Sequence, residues 1–143
     1  MNESIAVMTS PWIMGIVLFV IPSIILWKQK NQKVLRQLWT SIVTTGIIGV
    51  IIKFIVQRPR PFEPEYFFGT IPDYSFPSLQ TAVAFTTLPF LWKQKKNWKW
   101  GMIAYIFSIA LSRIYLQEHY TSDVIAGAII GMSVAILIQK KIT

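Results

Sequence analysis

The chain contains no cysteine, which excludes disulfides, thiolate metal sites and cysteine nucleophiles together. Charge is scarce as well. Charged residues make up 14% of the 143, against about 25% in ordinary soluble domains. Only 6 residues are acidic and only 1 is histidine. A surface so poor in charge cannot be wetted in the usual way. No repeat, low-complexity tract or soluble domain is visible. Apolar residues are abundant instead, at 53%, with a mean hydropathy of +0.49. The 14 basic residues give a net charge of +8. A basic balance points to nucleic acid only where a soluble fold carries a charged face. The apolar runs forbid such a face, so no nucleic-acid partner is expected. A small integral membrane protein remains, with residues 1–143 forming a single domain.

A helix that crosses the hydrocarbon core needs about 20 mostly apolar residues. Five segments approach that length: Ile5 to Trp27, Leu35 to Val56, Pro77 to Trp92, Trp98 to Leu116 and Ser122 to Ile138. The expected fold is therefore all-α, a polytopic membrane bundle of about five transmembrane helices. No basic stretch precedes the first segment and no small-residue cleavage site follows it, so it reads as a retained helix rather than a signal peptide.

Charge fixes the expected orientation. Lys28, Lys30, Lys33 and Arg36 fill the first connection, Lys93, Lys95, Lys96 and Lys99 the third, and Lys140 and Lys141 the end. Basic flanks stay cytoplasmic, which puts the N-terminus outside and the C-terminus cytoplasmic. Membrane lipid head groups are natural partners for those ten charges. The other four basic residues, Lys53, Arg58, Arg60 and Arg113, fall on the outer side. So do all six acidic ones, Glu3, Glu63, Glu65, Asp73, Glu118 and Asp123. The tryptophans mostly sit near span ends, where an amphipathic ring prefers the interface. The outer connection from Gln57 to Phe76 holds Pro59, Pro61, Pro64, Pro72 and Gly69. It is expected to be extended and irregular.

Lys53, Arg60, Ser78, Arg113, His119 and Asp123 all lie at outer helix ends, contributed by four helices. Ionisable residues near the hydrocarbon boundary are functional candidates by default. Lysine with forked arginines suits a multiply charged oxyanion such as phosphate. Ser78 opens the third helix, where first-turn N–H groups form an anion seat. His119 and Asp123 are four residues apart, so a carboxylate can hold one ring nitrogen and leave the other free to attack. Glu118, beside the histidine, would raise its pKa and hinder attack unless it faces solvent. The set reads as phosphoryl transfer through a phosphohistidine.

The bland readings are specific too. Lys53 can snorkel from a helix end, Arg58-Pro59 is an ordinary helix exit, and Ser78 and Asp123 can be caps. Gly127 and Gly131 form a G-x-x-x-G pattern suited to close helix packing. Tyr120 is an interface anchor, or packs at the mouth of the site.

Three blocks resemble those of the type 2 phosphatidic acid phosphatases, a superfamily that includes vanadium-dependent haloperoxidases. The first runs from Lys53 through six residues to Arg60-Pro61. The second is Pro77-Ser78, and the third is Ser112-Arg113, five residues, His119, three residues, Asp123. The resemblance covers about Lys53 to Asp123. It implies that Lys53, Arg60 and Arg113 hold phosphate, Ser78 bonds its oxygens, His119 is the nucleophile and Asp123 orients it. It implies no metal and no cofactor, and a phosphorylated lipid as substrate on the extracytoplasmic side of the cell membrane. Family members usually have six spans, so it also implies one helix fewer here.

The second block departs from the family's Pro-Ser-Gly-His, reading Pro77-Ser78-Leu79-Gln80. In the family that histidine protonates the leaving oxygen, whereas an amide only hydrogen-bonds. Leu79 in place of glycine adds bulk where the backbone approaches phosphate. Loss of a general acid slows such a step about 10²–10⁴-fold. Departure of an alkoxide suffers most, and departure of a phosphate from a diphosphate suffers least. One expectation is a phosphatase favouring lipid diphosphates such as a polyprenyl diphosphate. The alternative is a catalytically impaired relative that binds phospholipid head groups or supports a partner. A small channel or transporter subunit ranks last, because the ionisable residues cluster at one depth only.

Overall fold

The structure, a computed structural model, describes residues 4, 8, 10–28, 30–61, 65–67, 71–92 and 97–141. The start of the expected first span at Ile5 lies outside them, as do Glu3, Glu63, Pro64, Gly69, Lys93, Lys95 and Lys96. Helix α1 (Pro11–Gly15) passes through a π turn (Ile16–Val20) into α2 (Ile21–Lys28). Then follow α3 (Gln32–Val56), α4 (Leu79–Trp92), α5 (Trp98–Tyr115) and α6 (Thr121–Lys141). With α1, the π turn and α2 taken as one rod, the described residues form five helical rods.

Each boundary has a local cause. Lys30, at φ 54°, turns the chain out of α2, and the Asn31 side chain accepts the Val34 N–H at 3.3 Å to start α3. Helix α3 therefore begins ahead of the expected Leu35, and Lys33 and Arg36 belong to its first turns rather than to a loop. It ends where Gln57 adopts φ 50° and returns its N–H to the Lys53 carbonyl at 2.9 Å. The prolines that follow cannot continue a helix. Helix α4 is two residues shorter than the expected Pro77 to Trp92, because Ser78 is its cap and accepts the Thr81 N–H at 3.4 Å. Helix α5 ends at Leu116 and Gln117, the latter with φ 57°. At the start of α6, Asp123 reaches back to the Tyr120 N–H at 2.9 Å, one half of a capping box.

The outer connection is more ordered than its prolines suggest. Strands β1 (Glu65–Phe67) and β2 (Ile71–Asp73) pair antiparallel, with Glu65 opposite Asp73. Neighbouring backbone hydrogen bonds thus override the expectation of an irregular loop, and β2 delivers Asp73 towards the helix ends.

Helix α4 is the hub, touching α3, α5 and α6. It meets α6 at backbone distance. A Cβ on Gly127 would stand 2.6 Å from the Ser78 carbonyl oxygen, and one on Gly131 would stand 2.0 Å from that of Ala82. Only glycine fits either place, which is what the G-x-x-x-G pattern anticipates. Elsewhere the core is apolar, with Leu18, Phe85, Ile106 and Ile109 in one cluster and Leu26, Leu38 and Phe90 in another. Hydroxyls supplement it, as where Thr45 and Thr86 share a hydrogen bond of 2.9 Å between α3 and α4.

Among the described residues, α3 and α6 are long and apolar enough to cross a membrane, with mean hydropathies of 1.9 and 2.0. The run Ile13–Trp27 is apolar but shorter. Outward faces stay apolar, with Val43, Ile47, Ile51 and Ile55 exposed along α3 and Ile125 and Ile129 along α6. Because the rods alternate in direction, the ends of α3 and α5 and the starts of α4 and α6 gather at one end of the bundle. Among the described residues, that end carries Lys53, Arg58, Arg60, Asp73, Arg113, Glu118, His119 and Asp123.

Candidate active site

The last turn of α3 buries Lys53. Its Nζ donates to Asp73 Oδ1 at 2.7 Å and to the Tyr74 carbonyl. Arg60, two residues beyond Arg58 in the loop, encloses the same aspartate. Its Nη2 donates to Asp73 Oδ2, its Nε to the Asp73 carbonyl at 3.1 Å, and its Nη1 to the Glu118 carbonyl at 3.2 Å. One carboxylate thereby bridges two cations, one oxygen to each. Arg113, buried near the end of α5, shares Nη1 between Gln80 Oε1 at 2.7 Å and Glu118 Oε2 at 2.6 Å. Its Nε donates to Ser112 Oγ at 3.2 Å.

His119 lies in the short α5–α6 connection and is only 4% exposed. Its Nδ1 is 2.7 Å from the Ser75 carbonyl oxygen and 3.8 Å from Asp123 Oδ2. A carbonyl only accepts, so Nδ1 must carry the proton and Nε2 keeps its lone pair. Burial, assisted by Arg60 and Lys53, pushes the imidazole down from 6.5 to about 4, against the opposing pull of Ser75 and Asp123. The ring is therefore neutral at pH 7, the form in which an imidazole is nucleophilic. The expectation that Glu118 would raise this pKa is overturned, because its carboxylate is engaged with Arg113.

Asp123 is fully buried. It accepts from Ser75 Oγ, from the Tyr120 N–H at 2.9 Å and from Arg58 Nη1 at 2.7 Å. With three donors already satisfied, its carboxylate sits beyond hydrogen-bond distance of His119. The direct holder of the ring is the Ser75 carbonyl, not Asp123. No side-chain pattern points to a main-chain acceptor, so sequence reasoning misses Ser75.

The second block is placed differently from the clamp. The Ser78 hydroxyl is fully buried and shared with Thr81 Oγ1 at 2.9 Å, while its N–H donates to the Asp123 carbonyl at 3.1 Å. The structure thus uses Ser78 as a cap that ties α4 to α6. Leu79 turns aside from the charged cluster. A Cβ on Gly49 of α3 would stand 2.4 Å from Leu79 Cδ2, so the leucine fills a notch that glycine leaves on the neighbouring helix. Gln80 does face the cluster, through Arg113.

Sequence reasoning also passed over Arg58 as a helix exit. Its guanidinium lies 3.9 Å over the Tyr120 ring and reaches Ser122 Oγ at 2.6 Å as well as Asp123. The available signal was the doubled Arg-Pro, which brings a second arginine to the same turn. Asp73 carried a weaker signal, a lone carboxylate at the edge of a buried cationic group. Lys53, Arg58, Arg60 and Arg113 face Asp73, Glu118 and Asp123, so four cations meet three carboxylates. Among the described residues, no three His, Cys, Asp or Glu side chains are grouped to hold a metal ion.

The chain is similar to known proteins in sequence and in fold. The undecaprenyl-diphosphatase of Sulfolobus acidocaldarius is 28% identical over 123 residues, covering 82% of this chain and 59% of that protein. The bacitracin transport permease protein BcrC of Bacillus licheniformis is 31% identical over 121 residues, covering 76% and 56%. The chain thus spans somewhat over half the length of these curated relatives. The crystal structure of Aquifex aeolicus LpxE superposes with a TM-score of 0.74 at 29% identity, covering 97% of this chain and 83% of that one. The PAP2 superfamily profile matches residues 34–142, across α3 to α6 and every site residue above, and the chain belongs to the PAP2 superfamily.

Proposed function

We propose that the chain is a membrane phosphatase that removes the terminal phosphate of a lipid diphosphate, such as a polyprenyl diphosphate, by way of a phosphohistidine on His119. The observation that carries this reading is the neutral His119 ring, with Nδ1 tied to Ser75 and Nε2 left to attack within the field of Arg60 and buried Lys53. Nε2 attacks the terminal phosphorus, the bond to the bridging oxygen breaks, and a lipid monophosphate leaves. Water then attacks the phosphohistidine, releasing inorganic phosphate and regenerating the imidazole. Lys53, Arg60 and Arg113 stabilise the equatorial oxygens, which take over donors that Asp73 and Glu118 now satisfy. Gln80 donates no proton to the leaving oxygen, which suits a leaving group that is already a stabilised phosphate. The names of two matched relatives, an undecaprenyl-diphosphatase and a BcrC protein, support this substrate class.

The exposed apolar faces of α3 and α6 support a five-rod bundle in the cell membrane. The basic residues at Lys30, Lys33, Arg36, Lys140 and Lys141 support a cytoplasmic face opposite the site, and so an extracytoplasmic site. The test is phosphate release by purified protein from lipid mono- and diphosphates, with His119→Ala as control. Release from the diphosphate that the substitution abolishes is the expected result.

The Arg113–Gln80 contact favours a second reading, a catalytically impaired relative that binds head groups. Head-group binding without release from either lipid class would select it.

A further inference from the structure

Arg58 lies between the two cations of the first block, yet its side chain turns away from the Lys53–Asp73–Arg60 group. Its Nη1 reaches Asp123 Oδ1 at 2.7 Å and Ser122 Oγ at 2.6 Å. Its main chain turns the same way, since the Arg58 carbonyl accepts the Ser75 N–H at 2.7 Å. Ser75 Oγ in turn donates to Asp123 Oδ2. Three residues therefore close a ring. Arg58 holds Ser75 by backbone, Ser75 holds Asp123 by hydroxyl, and Asp123 holds Arg58 by ion pair. The ring presents one group to the histidine, the Ser75 carbonyl at 2.7 Å from Nδ1.

The charge of Arg58 matters because Asp123 is fully buried. A buried carboxylate stripped of its cation is strongly unfavourable and recruits another partner. The nearest candidate is the imidazole, whose Nδ1 stands 3.8 Å away. Drawing the ring to Asp123 would take it off Ser75, and with no cation left to neutralise the carboxylate the charged imidazolium, which has no lone pair to attack, would be favoured.

We propose that Arg58 is a positioning residue that neutralises Asp123 and braces Ser75, so that the His119 ring is held with Nδ1 protonated and Nε2 free. The kinetic consequence rests on the phosphohistidine reading; the state of the ring does not. Two other roles predict different behaviour. A phosphate-binding Arg58 would act through KM, and a merely structural one would lower the yield of folded protein without changing the ring in what remains.

The chain has 1 histidine, so untagged protein carrying ¹⁵N-labelled histidine in detergent micelles reports this imidazole alone. At pH 7 the wild type is expected to show a protonated Nδ1 and an unprotonated Nε2. Arg58→Ala should lose that pattern, and Arg58→Lys should keep it. In turnover of a polyprenyl diphosphate, Arg58→Ala should lower kcat about 10- to 100-fold, as small misplacements of reacting groups do, with KM changed less than about twofold. Arg58→Lys should recover most of the loss. Adding Ser75→Ala to Arg58→Ala should lower kcat by less than Ser75→Ala does alone, as for residues in one network. An unchanged ring spectrum in Arg58→Ala, or a raised KM with kcat intact, overturns the proposal. If the wild type released no phosphate from any lipid while Arg58→Ala still altered the ring spectrum, the phosphatase reading would fall and the positioning role would stand.

Discussion

The two flanks of the site are built on different principles. On the His119 flank, each polar group has a partner of defined direction. A carbonyl holds the ring, a hydroxyl and an N–H hold the aspartate, and Arg58 closes the set. On the Gln80 flank, one nitrogen of Arg113 is shared by an amide and a carboxylate, and the amide has no acidic proton to give. On the proposed reading the first flank forms the bond to phosphorus. On the same reading the second steadies charge on a departing group, and Gln80 cannot protonate it. Under that reading attack and departure are separable problems, and a good leaving group meets the one that Gln80 leaves open.

The strongest way to break this contrast is to remove the attacking atom. His119→Ala should lower phosphate release by at least about 10⁴-fold, the scale seen when a nucleophile is deleted. An effect under tenfold on the purified enzyme would exclude a phosphohistidine. Restoring the other flank is the converse test. Gln80→His should raise turnover of a lipid monophosphate about 10²-fold and change turnover of a diphosphate by less than about tenfold. Equal gains on both substrates would show that leaving-group protonation does not separate them.

Acid probes the His119 flank without mutation. With the imidazole lowered from 6.5 to about 4, kcat/KM should be insensitive to this group above about pH 5. It should fall about tenfold per pH unit once the ring protonates, below about pH 4. Stability follows the same group. The unfolded chain binds the proton at 6.5 while the folded chain resists it until about 4. The folded state is therefore favoured fully above pH 6.5, and this contribution is lost as pH falls from 6.5 to about 4. Thermal melts across that interval check the sign.

Smaller effects sharpen the picture of the clamp. Asp73→Asn removes the carboxylate that spans Lys53 and Arg60, and should lower KM for a diphosphate about three- to tenfold by leaving those cations less neutralised. A higher KM would make Asp73 part of the recognition of substrate rather than its competitor. Leu79→Gly should change kcat by no more than about twofold, because the side chain packs against Gly49 and not into the cluster. A large gain would mean that the leucine crowds the phosphate after all.

What was legible in the sequence was whatever side-chain type and spacing encode. Apolar length located the rods, and the three blocks located Lys53, Arg60, Arg113, His119 and Asp123 at one end of the bundle. Gly127 and Gly131 announced a close seam by their spacing. Hidden from that reading was everything done by backbone or by distant packing. Ser75 acts through a carbonyl that every residue has. The β1–β2 pairing depends on hydrogen bonds among residues that look like loop. Leu79 appeared obstructive because the matching gap, at Gly49, lies thirty positions earlier on another helix. Arg58 was discounted because the proline after it explained its place, although its charge needed a separate account.

The seam between α4 and α6 also has a mechanical meaning. With Gly127 and Gly131 lying directly on the Ser78 and Ala82 carbonyls, any slide of one helix along the other would drive side chains into main chain. The two helices consequently move as one plate, carrying Ser78, Gln80 and Asp123 at fixed separations. The histidine's mooring, the Ser75 carbonyl beside Asp123, lies at the head of that plate.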